Sequence, residues 1–450
     1  MRRYEVILSD LERRLKEGAY QVTKKLPSVR EAALTYECSV STILRAYAEL
    51  ERRHLIYSVP QSGHYAVSVP DSEQRDSEKE KVDFSSASPD PEVFPYLDFQ
   101  HCLNKAIDTY KHQLFTYGAT QGLDKLRYTL VSHLANDQVF AKPSQLVVTS
   151  GIHPVLEVLS RMPFPNGREA ILVESPTYDL FLRVLETEGL PVLTIRRTVD
   201  GIDLDELEQH FKSGVVKFFY TMSRFHNPLG TSFHRDTCRA IAALASRYDV
   251  YVVEDDYVAD LGEAGGFQPI HSYDSTGHVV YVKSFSKIVF PGLRLGAAVL
   301  PEKLRDTFLQ RKSADASLLS QAALEIYIKN GMYERHKRTM MSQYASRMTL
   351  LVEALREEMR GEGGSWNVPD MQAGIYLPLL LPQTVNLERL MKKLTLRNVL
   401  VTSGKAFYHQ EARERDKLIR LSIARARPDQ IRGGVGVLLE EVKRELRWPV

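Results

Sequence analysis

The sequence contains few of the residues that crosslink a chain or anchor it in a membrane. Only three cysteines occur among 450 residues, and no two of them have CxxC spacing. This scarcity argues against a disulfide framework and against a zinc site. No apolar run approaches the length that a helix needs to cross a bilayer, and the first turns of the chain are charged, unlike a signal peptide. We therefore expect a cytoplasmic protein with no bound metal and no membrane partner.

The chain also lacks a strong excess of charge. It has 59 Lys and Arg against 57 Asp and Glu, a net charge of +2, which by itself indicates no partner. The length predicts two or three domains. Residues 69–81, VPDSEQRDSEKEK, have almost no apolar side chain and are typical of an exposed linker. We therefore predict a small domain at 1–68, a linker at 69–81 and a large domain at 82–450.

The small domain contains three helical patterns and one hairpin pattern. Apolar residues recur at helical spacing from Tyr4 to Leu15. Ser28 and Glu31 have the spacing of a capping box at the start of a second helix. A third helix has one apolar face, and two β-prone runs flank the turn PQSG. The residues of that apolar face are Ile43, Ala46, Tyr47 and Leu50.

The front of the third helix carries short polar side chains and a basic one on its other face. These are Ser41, Thr42 and Arg45, with Leu44 among them. Hydroxyl groups and an arginine in this position suit phosphates and base edges in the major groove of DNA, with the hairpin as a wing. A small helical docking module and a plain N-terminal extension remain open on pattern alone.

The small domain also resembles a known family in three stretches. KKLPSVREAA, SVSTILRAYAELERRHLI and QSGHYAV together resemble the winged helix-turn-helix of the GntR family of bacterial repressors. The resemblance implies operator DNA as a partner. It also implies DNA contacts for Arg30, Ser39, Ser41, Thr42, Arg45 and Gly63. Val40 stands where the family usually has an arginine, so one family contact to DNA is missing.

The large domain alternates short β-rich runs with helical patterns. Runs such as QLVVTS, EAILVES, VYVVEDD and HVVYVKS are continuously apolar, as in strands that are buried on both faces. The alternation predicts an α/β fold with a mostly parallel central sheet. Ligands of such sheets bind beyond the carboxyl ends of the strands, which is where the polar residues of this sequence occur.

Five of these polar positions have both a binding and a structural interpretation. The turn at Gly151 precedes a helix whose first amides suit a phosphate, although such glycines are common. Tyr178 could stack on a flat ring or belong to the core. Asn227 could donate to a ligand oxygen or serve a turn. Asp255 could hold a protonated ring nitrogen, with Tyr257 near a phenolic oxygen, or it could be a cap or surface acid.

The stretch YVKSFSKIVFPGLRLG adds a lysine at the end of a predicted strand. Lys287 would be a nucleophile if burial or neighbouring cations depress its pKa, and it would then form a Schiff base with an aldehyde. Ser284, Ser286 and Arg294 suit a dianionic phosphate. A phosphate, an aldehyde and a ring nitrogen together indicate pyridoxal 5′-phosphate. The alternative is a solvated basic loop that includes Lys283, against which the intervening apolar residues argue.

The order of these motifs resembles fold-type I aminotransferases, in the branch that includes kynurenine and aminoadipate aminotransferases. The stretches are SGIHPVLEVL, ESPTY, HNPLG, EDDY, SFSK and FPGLRLG. The resemblance implies that Lys287 forms the internal aldimine and that Asp255 pairs with the pyridinium nitrogen. The other cofactor contacts it implies are to the ring oxygen by Asn227 and Tyr257, to the ring face by Tyr178, and to the phosphate by Ser284, Ser286, Arg294 and the turn Gly151, Ile152 and His153.

Two further residues take their roles from this resemblance. Tyr117 matches a tyrosine that reaches the phosphate from the other subunit, and Arg420 matches the arginine that binds a substrate α-carboxylate. His153 departs from the family, which usually has glutamine there, so its side-chain contact is expected to differ.

Both halves, in this order, resemble the MocR family of transcriptional regulators. The fold implied is a mainly α winged helix-turn-helix followed by an α/β fold-type I aminotransferase-like domain. The resemblance implies a homodimer that binds operator DNA and pyridoxal 5′-phosphate and senses an amine, an amino acid or the cofactor itself through Lys287. Two alternatives are a working aminotransferase with a DNA-binding appendage and a DNA-binding protein whose cofactor domain is inactive.

Overall fold

The computed structural model contains two compact units, residues 1–80 and 81–450. It describes residues 3–16, 19–20, 25–53, 55–59, 62–67, 81–262, 268–313, 315–360, 371, 373–412 and 414–447. Of the predicted linker, only Lys81 belongs to the described residues. No helix in these ranges has both the length and the apolar composition that a membrane span requires.

The first unit is a three-helix bundle with a hairpin. Its elements are α1 (Arg3–Lys16), α2 (Val29–Thr35), α3 (Val40–Arg52), β1 (Ile56–Val59) and β2 (Gly63–Ala66). The predicted capping box is confirmed, because the Glu31 amide donates to Ser28 Oγ at 3.3 Å and the Ser28 amide donates to Glu31 Oε2 at 2.8 Å. The predicted apolar face of α3 packs with α1 in one small core, and β1 pairs antiparallel with β2.

The second unit is built on an eight-stranded sheet. Its strands are β4 (Leu146–Thr149), β5 (Ala170–Ser175), β6 (Val192–Thr198), β7 (Gly201–Ile202), β8 (Val216–Thr221), β9 (Tyr251–Asp255), β10 (Val279–Ser284) and β11 (Gly296–Val299). The order is β4-β11-β10-β9-β8-β5-β6-β7. The five central strands from β10 to β6 are mutually parallel, whereas β4, β11 and β7 pair antiparallel at the edges. The predicted α/β fold with a mostly parallel sheet is confirmed.

Smaller sheets and helices complete this unit. Short strands are β3 (Val82–Asp83), β12 (Tyr376–Leu380), β13 (Val399–Leu400), β14 (Thr402–Ser403) and β15 (Leu418–Ser422). Strand β15 lies between β12 and β14, and β3 pairs parallel with β13. The α-helices are α4 (Tyr96–Tyr110), α5 (Asp124–Ala135), α6 (His153–Arg161), α7 (Asp179–Thr187), α8 (Leu204–Lys212), α9 (Arg235–Tyr248), α10 (Glu302–Arg311), α11 (Leu318–Lys329), α12 (Met332–Glu358), α13 (Leu387–Leu396) and α14 (Pro428–Arg447).

The parallel strands end side by side, so the residues that follow them converge. Strand β9 ends at Asp255, β10 ends at Ser284 and β5 ends two residues before Thr177. All the side chains of β8, β9 and β10 are buried, as expected for strands covered on both faces. The buried strands therefore fix the positions of the residues that follow them at this edge of the sheet.

Candidate functional site

A cavity of about 440 Å³ lies at the carboxyl edge of the central sheet. The predicted cofactor and effector residues that line it are Gly151, Ile152, His153, Tyr178, Asn227, Asp255, Tyr257, Ser284, Ser286, Lys287, Arg294 and Arg420. Tyr117 is not among its lining residues, and its side chain is fully exposed. The fold therefore gathers the predicted positions into one place, apart from the one expected to act on another subunit.

Lys287 lies at the wall of this cavity. Its Nζ atom donates to the carbonyl oxygen of Ala87 at 2.7 Å. Loss of hydration in the interior lowers the pKa of Lys287 to about 8; the nearby Arg420 adds to the lowering, while Asp255 and Asp179 oppose it. A lysine with such a pKa is neutral, and thus nucleophilic, at a far lower pH than an ordinary lysine.

Asp255 presents a buried carboxylate with one unsatisfied oxygen. Its Oδ2 atom accepts from the Tyr220 hydroxyl at 2.8 Å, whereas Oδ1 is buried and has no partner among the described residues. Burial raises the pKa of Asp255 to about 7. An unpaired buried carboxylate is costly, and a cation in the cavity would relieve that cost.

Asn227 and Tyr257 make contacts that the sequence did not indicate. The Tyr257 hydroxyl donates to the carbonyl oxygen of Phe225 at 2.9 Å, and Asn227 Oδ1 accepts from Arg420 Nη1 at 2.9 Å. Both side chains nevertheless face the cavity. Their predicted contacts to a ring oxygen stay a prediction.

Arg420, from β15, is held from several sides. Besides Asn227, its guanidinium donates to the Ser85 carbonyl oxygen at 2.9 Å and to Thr402 Oγ1 at 3.2 Å. Its Cζ atom lies 4.3 Å from the centre of the Tyr376 ring. These contacts fix the orientation of a buried cation that borders the cavity, an arrangement suited to a carboxylate ligand.

An anion cradle forms between β4, α6 and the turn before β11. Gly151 has a φ of 97°, and a Cβ atom there would lie 3.1 Å from Arg294 Nη2. Arg294 Nη2 donates to the Ser150 carbonyl oxygen at 3.3 Å, and the Ser286 amide donates to Ser284 Oγ at 3.2 Å. Helix α6 begins at His153, so its first amides point towards the same place. A helix N-terminus with an arginine and hydroxyl groups is suited to a phosphate.

His153, which stands where the resembled family usually has glutamine, makes a specific side-chain contact. Its Nε2 atom lies 2.8 Å from the Tyr178 hydroxyl, and the two rings meet edge to face. Burial and the nearby Arg294 lower the pKa of His153, which favours a neutral imidazole. The imidazole therefore holds the ring expected to stack on a cofactor.

The sequence missed eight residues that also line the cavity: Ser85, Ala87, Ser88, Asp179, Leu180, Met222, Pro291 and Tyr376. Asp179 and Leu180 directly follow Tyr178, which is a signal that could have been used. Residues 85–88 belong to VDFSSASPDPEVFP, where the resemblance begins, but nothing local indicated that they fold over the cavity.

The alternative of a solvated basic loop is wrong for Lys283. Its side chain is completely buried, and its Nζ lies 3.0 Å from Asp137 Oδ2 and 2.9 Å from Asp260 Oδ2. The intervening Phe285 and Ile288 are buried as well. Lys337 also lies near both carboxylates, with N–O distances of 3.6 Å to Asp137 and 3.5 Å to Asp260.

The DNA-binding positions predicted in the first unit lie on α2, α3 and the hairpin. Ser39 is the N-cap of α3 and accepts from the Thr42 amide at 3.3 Å, and its hydroxyl lies 2.8 Å from that of Ser41. The Arg45 guanidinium lies 4.3 Å from the Tyr4 ring centre. Arg30 is exposed on α2, and Gly63 begins β2 with a φ of 117°. Their contacts to DNA stay a prediction.

The fold and the cavity define a two-part protein, a winged helix-turn-helix unit joined to an α/β unit of the fold-type I aminotransferase architecture. Comparisons with protein families agree. Residues 3–65 match the family of bacterial regulatory proteins described as gntR, and residues 79–438 match aminotransferase class I and II.

Known proteins resemble the chain over most of its length. The HTH-type transcriptional regulator YcxD of Bacillus subtilis, itself uncharacterized, is 43% identical over 98% of this chain and 100% of its own. YjiR of Escherichia coli, named in the same way, is 26% identical over 90% of this chain and 92% of its own. The chain thus belongs to the HTH-type transcriptional regulators in which a gntR domain precedes an aminotransferase class I and II domain.

Solved aminotransferases share the fold of the large unit. The kynurenine aminotransferase of Pyrococcus horikoshii, solved with PMP, has a TM-score of 0.74 and 26% identity over 89% of this chain and 99% of its own. The multiple substrate aminotransferase of Thermococcus profundus has a TM-score of 0.73 and 26% identity over 85% of this chain and 97% of its own.

Proposed function

We propose that this protein is a pyridoxal 5′-phosphate-dependent transcriptional regulator of the MocR family. The observation that carries this proposal is the cavity that unites Lys287, Asp255 and the anion cradle in a chain with a gntR unit. The first unit binds operator DNA, and the cavity senses an amine, an amino acid or the cofactor itself. Because operator DNA is the partner, we also place the protein in the cytoplasm.

The residues of the cavity fit this cofactor. The unsatisfied Asp255 Oδ1 matches a protonated ring nitrogen, and the cradle around Gly151 and Arg294 matches a phosphate. When bound, the cofactor supplies an aldehyde for primary amines and a cationic ring that withdraws electrons. Within the protein, Asp255 holds the proton at the ring nitrogen, Tyr178 limits the ring on one face, and Arg420 orients a carboxylate.

The pH dependence of cofactor attachment tests the role of Lys287. With a pKa of about 8, its neutral fraction rises about tenfold per pH unit below that value and levels off above it. We expect the rate at which pyridoxal 5′-phosphate binds covalently to the stripped protein to follow this curve, measured by visible absorbance. In Arg420→Gln, which lacks one of the groups that lower this pKa, the rate should level off at a higher pH.

A rate that keeps rising to pH 10 in the unmodified protein would contradict this expectation, because it would indicate a lysine with an ordinary pKa.

Two of the basic side chains of the cavity, Lys287 and Arg420, also hold one segment of backbone, which we call the covering segment (residues 84–88). Ser85 offers its carbonyl oxygen to Arg420 and Ala87 offers its own to Lys287. A ligand that engages the same N–H group of Arg420 or Lys287 competes with that carbonyl oxygen. Ligand binding is therefore linked to the position of the covering segment.

The covering segment follows directly on the strand where the large unit begins. The Val82 amide of β3 donates to the Asn398 carbonyl oxygen, and the amide of Phe84, the first residue of the covering segment, donates to that of Leu400, both at 2.8 Å. The chain before Lys81 leads to the DNA-binding unit. We propose that a change in the covering segment is passed along the chain and changes operator affinity. Typical coupling free energies of about 1–3 kcal/mol would change operator affinity about 5- to 150-fold.

A binding assay tests the regulator directly. The full chain is titrated onto the DNA upstream of its own gene, with and without pyridoxal 5′-phosphate and a panel of L-amino acids and simple amines. Sequence-preferring binding that changes with one of these ligands supports the proposal. Steady amino-group transfer to a 2-oxo acid, without sequence-preferring DNA binding, would show an aminotransferase instead.

We further propose a homodimer, supported by exposed apolar side chains in α4, in α5 and in the segment that joins them. These side chains are Tyr96, Leu97, Ile107, Phe115, Tyr117 and Tyr128. Exposed large apolar and aromatic side chains are typical of protein interfaces. A dimer through this region would also place Tyr117 where the resemblance requires it, at the phosphate of the other subunit.

The hydroxyl of Tyr117 gives this dimer a measurable consequence. We expect Tyr117→Phe to remain dimeric by sedimentation and to bind pyridoxal 5′-phosphate about 10-fold or more weakly, because a hydrogen bond to a charged group contributes about 1.5–3 kcal/mol. Tyr128→Phe, in the same region, serves as the control. Unchanged cofactor affinity in Tyr117→Phe would exclude the contact across the interface.

A further inference from the structure

The front of α3 exposes an apolar pair that has no role in the core. Val40 is 47% exposed and Leu44 is 50% exposed, and they lie one turn apart on the same face of the helix. Ala48, one turn further, is exposed as well. The side chains that α3 buries in the unit are Ile43, Ala46, Tyr47 and Leu50, and neither member of the apolar pair is among them. The apolar pair is therefore available to whatever α3 binds.

The basic side chains of α3 do not cover this pair. Arg45 turns to the Tyr4 ring, while Arg52 and Arg53 bind Glu49 with N–O distances of 2.7 and 2.8 Å. The residues on either side of Val40 in the chain are Ser39 and Ser41, whose hydroxyl groups lie 2.8 Å apart at the start of the helix.

The charge around the apolar pair favours a polyanion. From Ser39 to Arg45 the sequence has no acidic residue, and the first one in α3 is Glu49. The positive end of the helix dipole lies at the same end. Residues 1–70 contain 11 Lys and Arg against 8 Asp and Glu, a net charge of +3. An apolar protein partner would gain only from burying the pair, whereas DNA would gain from the positive end of the helix as well.

The chemical groups on the base edges determine which base can contact the apolar pair. In the major groove only thymine presents a methyl group, while guanine, adenine and cytosine present donors and acceptors. Those polar groups would lose water against Val40 and Leu44 without gaining a hydrogen bond, which is costly. We infer that Val40 and Leu44 read thymine methyl groups, so that thymine occupies the operator half-site opposite the start of α3. This inference rests on the proposed function, since it requires operator binding by the first unit.

Deoxyuridine tests the inference at the level of one methyl group. The full chain first selects its preferred site from random DNA at fixed salt. Each thymine of a half-site is then replaced singly by deoxyuridine, which removes the methyl group and leaves base pairing unchanged. We expect one or two positions to lower the affinity about fourfold each, the effect of one buried methyl group.

Variants of the protein show which side chain contacts each sensitive thymine of the operator. In Val40→Ser or Leu44→Ser, deoxyuridine at the matching position should lower the affinity by less than about 1.5-fold, since the contact is already lost. Leu34→Ser is the matched control, because Leu34 is 79% exposed but lies on α2. That variant should keep the full response to deoxyuridine. Thermal unfolding of each variant confirms that the exposed substitutions leave the fold intact.

Three results would overturn the inference. In the first, no deoxyuridine position weakens binding of the unmodified chain. In the second, the response persists undiminished in both serine variants. In the third, the variants shift the sedimentation of the protein but not its binding to DNA, which would make the pair a protein contact. If the chain selects no preferred sequence at all, the proposed function fails, and this inference fails with it.

Discussion

Lys287→Ala is expected to abolish the covalent attachment of pyridoxal 5′-phosphate and every effect of amines on operator affinity. Among the described residues that line the cavity, Lys287 is the only lysine. Its environment depresses its pKa, which sets it apart from solvated lysines. Operator binding itself should persist, because the first unit has its own core. In the unmodified protein we expect an amine to change operator affinity about 5- to 150-fold, and in Lys287→Ala we expect no change.

Borohydride reduction followed by digestion and mass spectrometry measures the attachment. The peptide that contains Lys287 should carry a pyridoxyl group in the unmodified protein, and Lys287→Ala should carry none at any position. Lys142→Ala is the control, since Lys142 is a largely exposed lysine of the same unit. A pyridoxyl group found on another lysine, or an amine response that survives in Lys287→Ala, would contradict the assigned site.

Asp83→Ala is expected to uncouple the cavity from the DNA-binding unit while leaving cofactor binding intact. Asp83 Oδ1 accepts from the Ser85 amide at 2.8 Å, from Ser85 Oγ at 2.7 Å and from the Ser86 amide at 3.0 Å. These bonds shape the start of the covering segment. Hydrogen bonds of this kind contribute about 1 kcal/mol each, so their loss is comparable with a typical coupling free energy. We expect the ligand-induced change in operator affinity to fall to less than about threefold.

Asp83→Asn provides the matched control, because its amide keeps an oxygen where Oδ1 accepts. That variant should retain most of the coupling. Both variants should show the cofactor absorbance of the unmodified protein, since Asp83 does not line the cavity. The ratio of operator Kd values, without and with the most effective amine of the panel, measures the coupling. If Asp83→Ala kept the full coupling, the covering segment would be excluded as the link between ligand binding in the cavity and operator affinity.

The sequence predicted the carboxyl-edge site because parallel strands bring their ends together. Asp255 and Ser284 end neighbouring strands, so their proximity follows from strand order. Periodicity similarly predicted the buried face of α3, and the Ser28 and Glu31 spacing predicted the cap of α2. These features were predictable because each depends on residues that are close together in the sequence.

Contacts between distant parts of the chain were not predictable in this way. The bond from Arg420 to Ser85 joins residues 335 positions apart, and that from Lys287 to Ala87 joins residues 200 apart. In both contacts the acceptor is a backbone carbonyl oxygen, which every residue type has, so the residue types at 85 and 87 gave no signal. The ion pairs of Lys283 were not predictable for a related reason. Its partners Asp137 and Asp260 come from other elements, and only the fold brings them together.

The complete exposure of Tyr117 has a genetic consequence if each cavity is finished by the neighbouring subunit. A chain defective at position 117 and a chain defective at position 287 would each fail alone. Mixed in one cell, they would form heterodimers in which one of the two cavities receives both an intact tyrosine and an intact lysine. Two mutant alleles would then complement each other, so the phenotype of either allele would depend on which other allele is expressed in the same cell.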